Sequence, residues 1–64
     1  MNLLYAEVID IFDRDKIRMA RIRAKGALKD IPLLADAGRG DTVLVCDGVA
    51  IGKVAHPIEN AKAL

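Results

Sequence analysis

The stretch GDTVLVCDGVAIGKV, residues 40–54, contains two short apolar runs on either side of an Asp-Gly pair. Asp47-Gly48 is favoured in the two-residue type I′ turns that connect antiparallel strands. The runs Thr42–Cys46 and Val49–Val54 are therefore predicted to form a β-hairpin. This hairpin decides the fold class, because the chain before it repeats the same pattern of short apolar runs between turn signals.

Three further strands are predicted before the hairpin, separated by turn signals that contain Asp or Gly. The first has Leu4, Ala6 and Val8 on one face, whereas Ile9 and Ile11 make both faces apolar near its end. Pro32 cannot donate a hydrogen bond to a β-ladder and indicates an edge or a strand end. The predicted strands are Leu3–Phe12, Lys16–Ala24 and Ala27–Leu33.

The last residues, HPIENAKAL, differ from the rest because their apolar residues recur at three-residue spacing. Pro57 fits the first position of a helix, and Ile58, Ala61 and Leu64 would follow along one side of it. We therefore expect a single small all-β domain over residues 1–64. It would consist of five strands, arranged as a barrel or sandwich, and a short C-terminal helix.

The stretch KIRMARIRAKG, residues 16–26, carries five of the ten basic residues and no acid. Its apolar residues change phase, and a β-bulge near Met19-Ala20 would place them all on one side and Arg18, Arg21 and Arg23 on the other. Such a stripe has three readings: a solvated strand face, a surface for an acidic protein, or a nucleic-acid site. The stretch contains no aromatic residue for base stacking, which favours the first two.

The composition restricts the possible chemistry. The net charge is +1, and the chain has one Cys, one His and no Ser. A Ser-His-acid triad is impossible, and a zinc site made of Cys and His would lack ligands. We expect no enzymatic activity, no membrane role and a cytoplasmic location, because a lone cysteine gives no indication of an oxidising compartment.

Three smaller features have structural and functional readings. Cys46 is predicted to be a small buried residue, with partner contact, redox or metal binding as alternatives. His56 and Glu59 could face the same way, but two ligands do not make a metal site. Gly38 and Gly40 are predicted to form a turn, since no phosphate-loop Lys follows them.

The hairpin sequence also resembles the HypC/HupF family of [NiFe]-hydrogenase maturation chaperones, which carry the pattern G-D-x-V-L-V-H-x-G-x-A-I. This resemblance implies an OB-like barrel with a C-terminal helix. It further implies a protein that binds a second maturation factor and helps carry an iron–cyanide–carbonyl unit to the hydrogenase large-subunit precursor. The matching residues are Gly40, Asp41, Val43, Leu44, Val45, Gly48, Ala50 and Ile51, with weaker similarity at 8–11 and 31–34.

The chain departs from the family at its start, where an M-C-x-x-x-P pattern carries the functional cysteine. Asn2 occupies the place of that cysteine, and Cys46 takes the place of the family histidine. An amide is a poor ligand for low-valent iron compared with a thiolate. Either the chain keeps only the protein-binding surface, which we favour, or its ligand has moved to Cys46.

The resulting expectation is an accessory protein-binding module without a cofactor, unless Cys46 replaces the missing ligand. Its partner would be a hydrogenase large subunit or a second maturation factor, and self-association is a further possibility. The alternative is a small nucleic-acid-binding barrel that uses the arginine stripe. The candidate partner-binding residues are Asn2, Cys46, Arg18, Arg21 and Arg23.

Overall fold

Five antiparallel strands form one sheet in the computed structural model, which describes residues 2–54 of the chain. All five predicted strands are present, and those of the Asp-Gly hairpin have the predicted bounds. The predicted C-terminal helix, with His56 and Glu59, lies outside the described residues. The strands are β1 (Leu3–Arg14), β2 (Ile17–Ala24), β3 (Ala27–Pro32), β4 (Thr42–Cys46) and β5 (Val49–Val54).

Three tight turns connect the hairpins. Asp47 and Gly48 both have positive φ, 51° and 83°, as a type I′ turn requires, so the predicted turn is confirmed. The β1–β2 turn uses Asp15 and Lys16, also with positive φ, and Lys25 with Gly26 does the same between β2 and β3. Backbone twist in these turns matches the twist of the flanking strands, so long hairpins form without splaying.

The sheet, in the order β3-β2-β1-β4-β5, curls until its two ends meet. Leu33, just after β3, forms a parallel bridge with Ala50 of β5. The Leu34 N–H also donates to the Ala50 carbonyl at 2.9 Å. This closure makes the domain a small OB-like barrel.

The interior of the barrel is filled by small side chains. Val8 and Val43 are the largest that are fully buried, and Ala20 and Ala50 are completely inaccessible. Alternate residues of each strand supply these side chains, because successive residues point to opposite faces. The buried core consists of Ala6, Val8, Ala20, Ile22, Ile31, Leu33, Ala37, Val43, Val45 and Ala50.

The loop between β3 and β4 returns the chain to the middle of β1. Gly38 N–H donates to the Asp41 carboxylate at 2.8 Å, and Asp41 N–H donates to the Gly38 carbonyl at 3.1 Å. These bonds close the turn that was predicted around Gly38 and Gly40. Val8 N–H then donates to the Asp41 carbonyl, and Gly40 N–H donates to the Val8 carbonyl.

The bulge lies in β1, and its predicted place in β2 was wrong. The β1–β2 register shifts between Val8 and Asp10, whereas β2 pairs continuously along its whole described length. The inserted Ile9 changes which side of β1 faces the core, so Val8 and Ile11 both pack inward. This explains why Ile9 and Ile11 make both faces of the sequence pattern apolar.

The position of the bulge also corrects the arginine stripe. Without a bulge in β2, Arg21 and Arg23 alternate with buried Ala20 and Ile22 and point outward. Arg18 is in phase with Ala20 and therefore belongs to the opposite side of β2. The three arginines do not form one stripe.

Candidate partner-binding face

The outer side of β1, β4 and β5 presents neighbouring apolar side chains. Leu3 pairs with Cys46, and Cys46 pairs with Val49, so these three residues form one row across three strands. Tyr5 pairs with Leu44 in the next row. We call these five residues the apolar face.

The apolar face is open to solvent, although its residues are hydrophobic. Leu3 is 55% exposed and Tyr5 is 66% exposed, while Leu44, Cys46 and Val49 are half-buried. The same strands bury Ala6, Val43 and Val45 on their inner side. The strands at this end of the barrel are therefore apolar on both sides, and only one side is used by the core.

Gly52 leaves space beside Leu44, its partner across β4 and β5. A Cβ added at Gly52 would meet no atom within 4 Å. Ile51, the extra residue at the β4–β5 register shift, is also exposed. A side chain introduced at position 52 would therefore meet no steric obstacle at its Cβ.

Hydrogen bonds hold Asn2 at the edge of this face. Asn2 N–H donates to the Asp47 carboxylate at 3.2 Å, and Asp47 N–H donates to the Asn2 carbonyl at 3.1 Å. The Cys46 thiol lies 3.8 Å from the other carboxylate oxygen of Asp47. The fold thus brings together Asn2 and Cys46, which were predicted as partner-binding residues from distant parts of the sequence.

Cys46 is half-buried and not fully buried, and no disulfide involves it. The sequence predicted a buried Cys46, so its half-buried position between Leu3 and Val49 on the outer side of the sheet was not predicted. Among residues 2–54, no three His, Cys, Asp or Glu side chains converge as a metal site would require.

Arg21 lies on β2, a strand that contributes no residue to the apolar face, and it is engaged with an acid. Its guanidinium donates two hydrogen bonds to Asp30, at 2.9 and 3.3 Å. The hydrogen bond and charge of Asp30 raise the pKa of Arg21 above its ordinary value. The hydrogen bond from Arg21 lowers the pKa of Asp30 in spite of some desolvation, and the nearby Arg14 adds to this effect.

An aromatic ring completes this charged cluster. The guanidinium carbons of Arg14 and Arg21 lie 5.2 and 5.7 Å from the centre of the Phe12 ring, within the range of cation–π contacts. Arg14 also lies 3.5 Å from Asp30. We call Asp10, Phe12, Arg14, Arg21 and Asp30 the charged face.

Arg23 and Arg18 do not extend this cluster into a continuous basic surface. Arg23 lies 3.8 Å from Glu7 of β1, so its charge is partly balanced. Arg18 belongs to the other side of β2. The predicted partner-binding residues therefore fall into separate groups, with Asn2 and Cys46 in one and Arg21 and Arg23 in another.

A small cleft opens at the end of the barrel near Asn2. It has a volume of ≈ 200 Å³, below the roughly 300 Å³ at which drug-sized ligand sites begin. Apolar side chains form most of its wall, and Asn2, Lys29 and Asp47 also contribute to it. The cleft is too small for a large cofactor.

The exposed residues Leu3, Tyr5 and Ile51 were not among the predicted site residues. The sequence contains a signal for Tyr5, because it alternates with the inward-facing residues Leu4 and Ala6. Alternation alone cannot tell whether an outward residue is covered by another part of the chain. Within residues 2–54, the closure of the barrel places this side of β1 and β4 on the outside.

Comparison of the chain with protein-family models, with curated proteins and with solved structures finds no match in any of the three. Within residues 2–54, no helix is long and apolar enough to cross a membrane.

Proposed function

We propose that this protein is an accessory protein-binding module that docks through its apolar face. In line with the resemblance of residues 40–54 to the HypC/HupF family, its partner is a [NiFe]-hydrogenase large subunit or a second maturation factor. The observation that carries the proposal is the apolar row Leu3–Cys46–Val49 on the outer side of the sheet, with Leu3 and the neighbouring Tyr5 exposed to solvent. An exposed group of apolar side chains on a small soluble domain is typical of a protein interface.

The chemistry of the face fits a protein partner. Tyrosine is enriched among the residues that contribute most to protein–protein binding, because it buries a large ring and keeps a hydrogen-bonding group. Leu3 and Leu44 flank it with aliphatic surface, and each Å² removed from water contributes about 25 cal/mol. Asn2 and Asp47 supply polar groups at the rim, as in many interfaces.

The proposal does not include iron carriage by the family route. The side-chain amide of Asn2 does not replace a thiolate as a ligand for soft, low-valent iron. Cys46 supplies one thiol on a neighbouring strand, bordered by the carboxylate of Asp47. The protein-binding surface is retained in this proposal, and the Cys46 thiol contributes to it by packing between Leu3 and Val49.

Nucleic-acid binding through the arginines is the alternative function. The ion pairs of Arg21 with Asp30 and of Arg23 with Glu7 reduce the positive charge available to phosphates. A binder that neutralises several phosphates would lose affinity steeply with salt, at a slope of about −0.7 to −0.9 per contact. Binding of single-stranded oligonucleotides with such a slope would favour this alternative over the protein-binding module.

The test uses two leucines with matched exposure on different parts of the sheet. Leu3 is 55% exposed on the apolar face, and Leu28 of β3 is 57% exposed. Binding to a purified large-subunit precursor and to a purified second maturation factor, both from the same organism, is measured by calorimetry for wild type, Leu3→Glu and Leu28→Glu.

We expect Leu3→Glu to weaken binding at least about tenfold, since it buries a charge in the interface, while Leu28→Glu leaves binding unchanged. Equal effects of both variants, or no binding of either protein by wild type at micromolar concentrations, would remove the proposal. Both variants should keep the far-ultraviolet spectrum and thermal midpoint of wild type.

A further inference from the structure

The second half of β1 forms an open sheet edge. β4 pairs with β1 only from Leu3 to Glu7, and the loop before β4 continues the hydrogen bonding as far as Val8. Beyond Val8, β1 pairs with β2 on one side, and no other described strand pairs with its second side. The far ends of β1 and β2 therefore form a two-stranded ribbon.

The hydrogen bonds show which backbone groups face the open side. Ile11 N–H donates to the carboxylate of its neighbour Asp10 at 2.9 Å, and it is therefore not used in the ladder with β2. Alternate residues of an antiparallel strand direct their backbone groups to the same side, so Asp13 faces the open side as well. The edge thus offers the backbone groups of Ile11 and Asp13 to another strand.

The sequence of this edge is complementary to itself. In DIFDR, residues 10–14, antiparallel pairing with a second copy about Phe12 places Asp10 opposite Arg14 of that copy. The same register pairs Ile11 with Asp13, which are the residues whose backbone groups face outward. Opposite charges across paired strands are stabilising, whereas a register that pairs Asp13 with itself would bring like charges together.

The outer surface of the ribbon continues this complementarity. Asp30 pairs with Arg21 across β3 and β2, and Arg21 pairs with Asp10 across β2 and β1. Arg14 of a second copy would be the next charge in this alternating row. In the central row, Met19 pairs with Phe12, and Phe12 would lie beside the Phe12 of the second copy.

We propose that the open edge of β1 at residues 10–14 is a homodimer interface in which two copies pair antiparallel about Phe12. Ile11 N–H exchanges the Asp10 carboxylate for the Asp13 carbonyl of the second copy. The released Asp10 carboxylate then pairs with Arg14 of that copy. This interface is separate from the apolar face, so it goes beyond the proposed function and does not depend on it.

The contact is short, so we expect a weak dimer of smaller area than a standard protein–protein interface. Sedimentation equilibrium from about 10 μM to 1 mM, the range in which such contacts are measurable, should show a monomer–dimer equilibrium. A monomer at every concentration would overturn the proposal.

Charge reversal tests the register. Asp10→Arg places two arginines opposite each other and Arg14→Asp places two acids opposite each other, so each variant alone should dimerise at least about tenfold more weakly. An equimolar mixture of the two should recover association, because Arg at position 10 then faces Asp at position 14. Dimerisation that survives both reversals, or a mixture that stays monomeric, contradicts the register.

Cross-linking provides an independent readout. In a Cys46→Ala background, Phe12→Cys places two thiols on the dimer axis, where paired Cα atoms are about 4.5–5.5 Å apart and a disulfide is possible. The matched control Arg14→Cys lies away from the axis and should not cross-link. A cross-link at position 14 but not at position 12 would overturn the arrangement, as would a dimer abolished by Leu3→Glu and unaffected by Asp10→Arg.

Discussion

The two halves of the sheet share one buried core, but their outer sides differ in chemistry. The outer side of β1, β4 and β5 carries Leu3, Tyr5 and Leu44, which are exposed or half-exposed. The outer side of β2 and β3 carries Arg21 and Asp30 in a hydrogen-bonded ion pair. Arg21 and Asp30 satisfy each other within one chain, whereas exposed apolar side chains gain free energy when a partner removes them from water.

The most prominent sequence feature, the basic stretch 16–26, therefore lies in the half of the sheet whose charges are paired. The cations of residues 16–26 suggest a binding stripe, but the fold gives Arg21 to Asp30 and Arg23 to Glu7. The residues of the apolar face, by contrast, are uncharged and lie on β1, β4 and β5.

The largest expected effect is on the free energy of unfolding, and it should differ between the inner and the outer side of β4. Val43 is fully buried and Leu44, the next residue, is half-buried. Val43→Ala should lower the free energy of unfolding by about 1–3 kcal/mol, because it removes buried methyl groups from a packed interior. Leu44→Ala should cost less in stability and should weaken partner binding. Urea unfolding measures both, and equal losses of stability would show that Leu44 also belongs to the core.

A charge introduced beside the apolar face tests whether that face must stay uncharged to bind the proposed partner. Gly52 has room for a side chain beside Leu44. Gly52→Lys should leave the thermal midpoint nearly unchanged and weaken binding to the proposed partner about tenfold, since the ammonium group must lose water in the interface. Gly52→Ala is the control and should bind like wild type; a Lys variant with full affinity would exclude this surface as the interface.

The smallest expected effect is the change in stability when an ion pair of the charged face is removed. Asp30 has a pKa below its ordinary value of 3.8, chiefly because Arg21 donates a hydrogen bond to it. Its contribution to stability is present above that ordinary value and is lost as the pH falls through the lower pKa of the folded state. Asp30→Asn should therefore be slightly less stable than wild type at neutral pH, and the difference should disappear in strong acid.

Thermal unfolding from neutral pH to strong acid measures this difference directly. The expected change is small because Asp30 and Arg21 are accessible to water, which screens their attraction. A difference between Asp30→Asn and wild type that persists unchanged in strong acid would mean that the ion pair is not its cause.

Much of the fold was predictable from local patterns. Alternation and turn residues located all five strands, and Asp47-Gly48 identified its turn because few residue pairs accept positive φ at both positions. The bulge was not predictable from one strand. A shift in register between two paired strands can come from an extra residue in either strand. The sequence pattern favoured Met19-Ala20 in β2 over Ile9 in β1.

The candidate site was predictable only in part. Asn2 and Cys46 were identified singly, but their proximity depends on pairing between the first and fourth strands. The roles of Leu3 and Tyr5 could not be assigned, because exposure of an apolar side chain depends on whether another segment covers it. Arg18 was grouped with Arg21 and Arg23 as a direct consequence of placing the bulge in the wrong strand.

The sequence by itself determined the all-β class, the strand order along the chain and the tight Asp-Gly turn, because these depend on neighbouring residues. The tertiary structure decided that Leu33 meets Ala50 to close the barrel and that Asp30 pairs with Arg21. It also decided that Leu44 and Cys46, on the outer side of β4, are only half-buried. The closure joins residues distant in the chain and forms only when the sheet curls, whereas the ion pair depends on the register of the β2–β3 hairpin, which places Arg21 opposite Asp30.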